Sequence, residues 1–244
     1  TGTGKTYLAA MDVKNFFKNR KNGNFLFIAH REELLENAIK VFSDILQIEK
    51  ENFGRIFSGN KEMNHSMVFA SIQSLRNCYK ELNIDKFDYI IIDEFHHASA
   101  SSYERIIHYF KSDFLLGLTA TPERMDGKDI LELCDYNLVG EMGLKRAMEQ
   151  DLIAPFHYFG INDETFDYEK IPYKNGKYQE DILVKNLSNN KRVDYIIESI
   201  KKIGFDGEKM SCIAFCENIN HANFMNKNFN KNGYIKIFNG RKCR

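Results

Sequence analysis

Short, uninterrupted apolar runs recur along the first half of this chain, and they narrow its possible folds more than any other feature. "FLFIA" (25–29), "MVFA" (67–70), "DYIII" (88–92) and "FLLGL" (114–118) each read as a strand, and "RIF" (55–57) as a shorter one. A strand with one wet face alternates apolar and polar residues. A strand without alternation is covered on both faces, as in a parallel sheet sandwiched by helices. The intervening stretches supply those helices. "TYLAAMDVKNFFKN" sets Leu8, Met11 or Asp12, and Phe16 at helical spacing, "REELLENAIKVFSDI" is amphipathic, and "SIQSLRNCYKEL" and "SSYERIIHYF" follow the same period. The first half is therefore expected to be α/β and doubly wound.

Around 123–145 the pattern loosens and a new set begins. It comprises a helix "LKRAMEQD", a strand "IAPFHYFGI" (153–161), and a polar connection "NDETFDYEKIPYKNGKY" whose Pro172 is unsuited to a central strand. A helix over 190–203, a buried strand "MSCIAFC" (210–216), a helix over 220–231 and a strand "YIKIF" (234–238) complete the expectation. The boundaries expected are 1–138 for one domain and 139–244 for the beginning of a second, with too few strands to finish it.

Composition decides little. Lys+Arg 34 against Asp+Glu 34 leaves net charge zero, so no global basic field announces nucleic acid, although a neutral total can hide a basic stripe. Cysteines at 78, 134, 212, 216 and 243 have no zinc spacing and read as reduced, structural thiols. No apolar run approaches the ~18 residues that span a bilayer, so no membrane partner is expected.

Three stretches carry chemistry. "TGTGKT" (1–6) is most of a phosphate-binding loop. Its glycines Gly2 and Gly4, with Thr3 between them, let backbone N–H groups close on phosphates. Lys5 reaches the β- and γ-phosphates, and Thr6 offers a hydroxyl to Mg²⁺. The loop's first glycine would fall two residues upstream of Thr1, so the chain reads as a piece of a longer protein. In "IIIDEFHH" (90–97), Asp93 and Glu94 end a buried strand, at the sheet edge where ligands of α/β folds bind. Asp93 suits Mg²⁺ and Glu94 the attacking water. His96 and His97 have no partner at ligand spacing, and a hydrogen-bonding role across a cleft suits His96 better than metal binding. "LTATPERMDG" (118–127) places Thr119 and Thr121 where a strand ends; alone it reads first as a simple Ser/Thr-rich turn stopped by Pro122.

Taken together, Gly-Thr-Gly-Lys-Thr, Asp-Glu-Phe-His and Thr-Ala-Thr-Pro resemble, in order, the first three signature motifs of superfamily 2 helicases and translocases of the DExH type. "FIAHREELLENA" is similar to that family's motif Ia, "VFASIQSL" to the segment touching the nucleic-acid backbone, and "SCIAFCENINHANFM" to the opening motif of its second domain. "APFHYFGI" points to the branch near restriction-enzyme motors and transcription-repair helicases. The resemblance implies a RecA-like P-loop NTPase domain followed by the incomplete start of a second RecA-like domain, in a cytoplasmic protein. It also implies ATP at Gly2 to Thr6, Mg²⁺ at Thr6 and Asp93, a catalytic set of Lys5, Asp93, Glu94 and His96, and coupling through His96, Thr119 and Thr121. Nucleic acid, DNA in preference to RNA, would lie on Arg31, Ser71 and Gln73; for Arg31 a solvated first-turn residue is the competing reading.

The family's cleft-crossing arginine, worth on the order of 10³–10⁵ in rate, has no match. Arg241 and Arg244 sit in no recognisable motif, so a fragment of this extent is expected to be nearly inert as an ATPase. The whole protein is expected to translocate along nucleic acid at the expense of ATP. A non-catalytic nucleic-acid-binding module or a decayed enzyme, and a restriction-system motor subunit, stand as alternatives.

Overall fold

A computed structural model describes residues 4–18, 20, 23–98, 101–121, 130–163, 165–174, 176–203 and 212–231. The chain divides into two compact units, Thr1–Pro155 and Phe156–Arg244.

In the first unit the uninterrupted apolar runs form one sheet. The strands are β1 (Phe25–Ala29), β2 (Gly54–Ile56), β3 (Met67–Ser71), β4 (Tyr89–Asp93) and β5 (Phe114–Leu118), in the order β2-β3-β1-β4-β5. Every pairing is parallel, with Ala29 opposite Ser71, Ile28 opposite Ile92 and Asp93 opposite Leu118. Helices α1 (Lys5–Phe17) and α2 (Glu32–Leu46) cover one face, and α3 (Ile72–Cys78) and α4 (Ser101–Tyr109) the other. Alternate residues of a strand point to opposite faces. In β1, Phe25, Phe27 and Ala29 accordingly pack with α1 and α2, while Leu26 and Ile28 pack with α3 and α4. All five residues are buried, which is why the run could not alternate.

The face under α1 and α2 is built on aromatic rings. Phe69 lies 5.3–5.6 Å from the rings of Phe25, Phe27, Phe42 and Phe53, edge-on to Phe25, Phe42 and Phe53 and tilted against Phe27. Such pairs add roughly 0.5–1.5 kcal/mol each beyond the area they bury. Ala9 and Ala10 of α1 are small enough to let that helix lie close, and the Tyr89 hydroxyl donates to the Asp12 carboxylate, tying α1 to β4. The helical spacing expected for α1 holds, but its buried face is Ala9, Ala10 and Val13. Leu8 is 68 % exposed, so the predicted apolar stripe is rotated by about one residue.

The helix expected over 144–151 is α5 (Leu144–Glu149). The second unit contains a hairpin of β6 (Tyr173–Lys174) and β7 (Lys177–Tyr178), then α6 (Glu180–Leu187), α7 (Asn190–Ile203) and α8 (Ile219–Lys231). Gly176 turns the hairpin at φ 78, a left-handed conformation that glycine adopts without strain. Two small clusters hold these elements, Ile171 with Leu183 and Leu187, and Val193 with Ile197 and Met225.

Two expected strands are not found. Residues 153–161 and 212–216 carry no ladder, and Ile213 and Phe215 are 85 % and 95 % exposed, so the buried-strand reading of Cys212 and Cys216 is corrected. A strand needs neighbouring backbone to bond with, and among the described residues of this unit the one paired set is β6–β7. The strand expected over 234–238, and Arg241, Cys243 and Arg244, lie outside the described residues.

Two substitutions test this packing. Phe69→Ala should lower stability by about 3–5 kcal/mol, read from the denaturant midpoint, because it empties the centre of the ring cluster. A Cβ at Gly117 would fall 2.5 Å from the buried Phe95 ring, so Gly117→Ala should cost about 1–3 kcal/mol by overpacking beneath the turn that bears Glu94 and His96.

Candidate active site

The parallel ladder brings the carboxyl ends of the strands to one edge, and most of the residues singled out by the motifs stand there. Gly4 is the N-cap of α1 at φ 84 and ψ 20, a left-handed conformation that only glycine takes at no steric cost. Its carbonyl accepts from Leu8 N–H at 3.0 Å and starts the helix. Lys5 and Thr6 are therefore the first two helical residues, beside unpaired N–H groups that favour an anion. Gly2 and Thr3 lie outside the described residues.

Asp93 is the last residue of β4 and is only 9 % exposed. Burial pushes its carboxyl above the usual range and the neighbouring Glu94 charge adds to this. The Glu94 N–H donates to it at 3.0 Å, and the Lys5 ammonium and His96 pull it partly back. Lys5 and Asp93, far apart in sequence, thus feel each other's charge. Glu94 follows in a left-handed conformation, φ 53 and ψ 51, which costs a non-glycine residue on the order of 1–2 kcal/mol. It caps the short 3-10 turn Phe95–His97, and the buried Phe95 packs beneath β5 at Gly117.

His96 Nδ1 lies 3.2 Å from Thr119 Oγ1 and 3.2 Å from Glu94 Oε2, so the motif histidine bridges the ends of β4 and β5. Thr119 Oγ1 also accepts from Thr121 N–H at 3.1 Å. The Ser/Thr turn and the contact to His96 are therefore properties of one hydroxyl. The Thr121 side chain is outside this contact, and Pro122 is outside the described residues.

Towards β3 the residues divide. Arg31 is the exposed N-cap of α2, and among the described residues its guanidinium has no ion pair or hydrogen bond. Gln73 is exposed in the first turn of α3, with Nε2 3.0 Å from His30 Nδ1. Ser71 differs. It is 2 % exposed, and its hydroxyl accepts from Ser74 N–H as the cap of α3, so its polar atom is spent on the fold and a nucleic-acid contact does not suit it.

Two residues of this edge were not singled out from the sequence. His30 stands between Gln73 and His97, whose ring is 5.6 Å away. The Tyr103 hydroxyl is buried and lacks a hydrogen-bond partner among the described residues. Burial, then the charges of Asp93 and Glu94, pushes it up to about 12. His30 precedes Arg31 in "FIAHR" and was hidden by its neighbour; Tyr103 was absorbed by the apolar stripe of α4.

The donor set suits magnesium. A buried carboxylate accepting one backbone hydrogen bond, with a hydroxyl on the first turn of α1, is all-oxygen chemistry for an ion that keeps several waters and binds through one or two carboxylates plus phosphates. Among the described residues no group of three or more His, Cys, Asp or Glu could hold a metal. The raised Asp93 carboxyl has a consequence for stability. A folded-state value above the unfolded one makes the ionised form a burden, present above the folded value and relieved as pH falls through it. Asp93→Asn should therefore raise the thermal midpoint near neutral pH, and the gain should shrink as the pH is lowered towards the carboxyl's range.

Several known proteins are similar to this chain. The family described as type III restriction enzyme, res subunit, matches residues 1–124. A 51.5 kDa protein of a Lactococcus phage is 27 % identical over 95 % of this chain and 46 % of its own length. The type I restriction enzyme EcoAI endonuclease subunit of Escherichia coli is 27 % identical over 93 % of this chain and 30 % of its own. The chain thus spans less than half the length of these relatives. A fragment structure of a putative HsdR subunit of a type I restriction enzyme from Vibrio vulnificus shares the fold at TM-score 0.62 and 23 % identity, covering 96 % of this chain and 40 % of that one. No described helix is long and apolar enough to cross a membrane. With the phosphate loop, the Asp-Glu-Phe-His strand end and a RecA-like parallel sheet all inside a match that covers half of the sequence, the chain belongs to the family of the type III restriction enzyme res subunit.

Proposed function

We propose that the whole protein is an ATP-dependent motor that moves along nucleic acid, with DNA the preferred track. The observation that carries the reading is the cluster of Lys5, Asp93, Glu94, His96 and Thr119 on one sheet edge. ATP phosphates sit against the N-terminus of α1, with Lys5 as the point charge and Gly2 and Thr3 completing the loop. Asp93 and Thr6 hold magnesium, which when bound neutralises phosphate charge and orients the terminal phosphate.

Glu94 orients the attacking water and takes its proton. Its backbone is left-handed at φ 53, and its Oε2 stands 3.2 Å from His96 Nδ1. His96 and Thr119 report the state of the nucleotide to the end of β5, and Thr121 extends that turn. Arg31 and Gln73 meet the phosphates of the track without reading its sequence, as a motor on arbitrary sequence requires. DNA rests on the relatives' names, among them a DNA helicase and a restriction endonuclease subunit, and the reading places the protein in the cytoplasm.

A restriction-system motor subunit is a second reading, favoured by the family match and by the EcoAI subunit. A nuclease or methylase partner copurifying with the full-length protein would favour it. The intact Asp93–Glu94 pair weighs against a non-catalytic module.

The test is steady-state ATP hydrolysis by the full-length protein with and without single- and double-stranded DNA or RNA. Turnover should rise with DNA, and Glu94→Gln should lower it by roughly 10²–10⁴-fold; a folded protein with no stimulated turnover would exclude a motor. Arg31→Ala should weaken polymer binding across all sequences and reduce the slope of log affinity against log salt by about 1.

A further inference from the structure

The strand ends carry one line of touching side chains, in the order in which the strands lie side by side. Along β3-β1-β4-β5 these are Gln73, His30, His97 with His96, and Thr119. Gln73 Nε2 is 3.0 Å from His30 Nδ1. The His30 and His97 rings are 5.6 Å apart at 40°, and those of His97 and His96 4.1 Å apart at 45°. His96 Nδ1 then stands 3.2 Å from both Glu94 and Thr119. Gln73, His30 and His97 are exposed and belong to neither core cluster, so the fold does not require them.

We propose that His30 and His97 are positioning residues in a relay that passes occupancy of the nucleic-acid edge at Gln73 to Glu94. The proposal rests on the motor reading above. The Gln73 amide can only donate through Nε2, so His30 Nδ1 accepts and the His30 ring proton sits on Nε2. A backbone phosphate that draws the amide outward lengthens this bond and turns the His30 ring. The movement passes to His97 and His96 by contact, since the successive ring centroids are 5.6 and 4.1 Å apart. One Nδ1 proton on His96 faces two acceptors at equal distance, and a small rotation decides whether Glu94 or Thr119 receives it. Turned towards Thr119, the ring leaves Glu94 free to accept from water, so turnover speeds up when a strand is bound. The line thus supplies a two-position element that both sites bias.

The experiment compares wild type, His30→Ala, His97→Ala and the double variant of the full-length protein. It measures unstimulated and DNA-saturated turnover, oligonucleotide affinity without nucleotide, and thermal midpoint. Each single variant should lose at least roughly fivefold in the ratio of stimulated to unstimulated turnover, the lower end of usual site-to-site coupling. Unstimulated turnover, oligonucleotide affinity and midpoint should stay as in wild type, and the double variant should lose no more than the weaker single, as members of one line do. An unchanged ratio overturns the relay, as do losses that multiply in the double variant, or losses that follow weaker oligonucleotide binding or a lower midpoint. Wild type without stimulation overturns the motor reading and the relay with it.

Discussion

Parallel hydrogen bonding between β3, β1, β4 and β5 is the constraint on which the candidate site depends. In a parallel ladder every strand ends on the same side, so residues just past Ser71, Ala29, Asp93 and Leu118 become neighbours whatever their distance in sequence. The ladder in turn depends on apolar cover over both faces, by the aromatic cluster around Phe69 on one and by the Leu, Ile and Val residues under α3 and α4 on the other. Lys5 belongs to the same edge because α1 starts there, anchored to β4 through Asp12 and Tyr89.

Stability and chemistry oppose each other at the end of β4. A buried aspartate held partly against its ionised form, a left-handed glutamate and the buried Tyr103 hydroxyl, without a partner among the described residues, each cost folding free energy. The strand at whose end they lie is buried on both faces by the two core clusters. The same features are the ones the proposed mechanism uses, with one carboxylate for a metal and another for water.

The second unit is organised differently. Its described residues pack through two small clusters, and its paired strands are a hairpin of four residues. Apolar segments such as "CIAFC" stand exposed there, because apolar composition alone does not make a strand without a neighbour to bond.

By itself the sequence determined the class of the first unit and the identity of its chemical groups. Unalternating runs require cover on both faces, and Gly-Lys-Thr, Asp-Glu and Thr-Ala-Thr carry phosphate, metal and water chemistry in their own functional groups. The hairpin β6–β7 is not among the expectations, which take that stretch as a polar connection, although Gly176 has the left-handed conformation that a tight turn uses. Tertiary structure alone decided which of these groups meet. The pairing of His96 with Thr119, the line through His30 and His97, the burial that raises Asp93 and the capping task of Ser71 all arise between elements. Periodicity and motif spacing describe one segment at a time. Contacts across strand ends, and the loss of water around a carboxylate, exist only once the ladder has set the segments side by side.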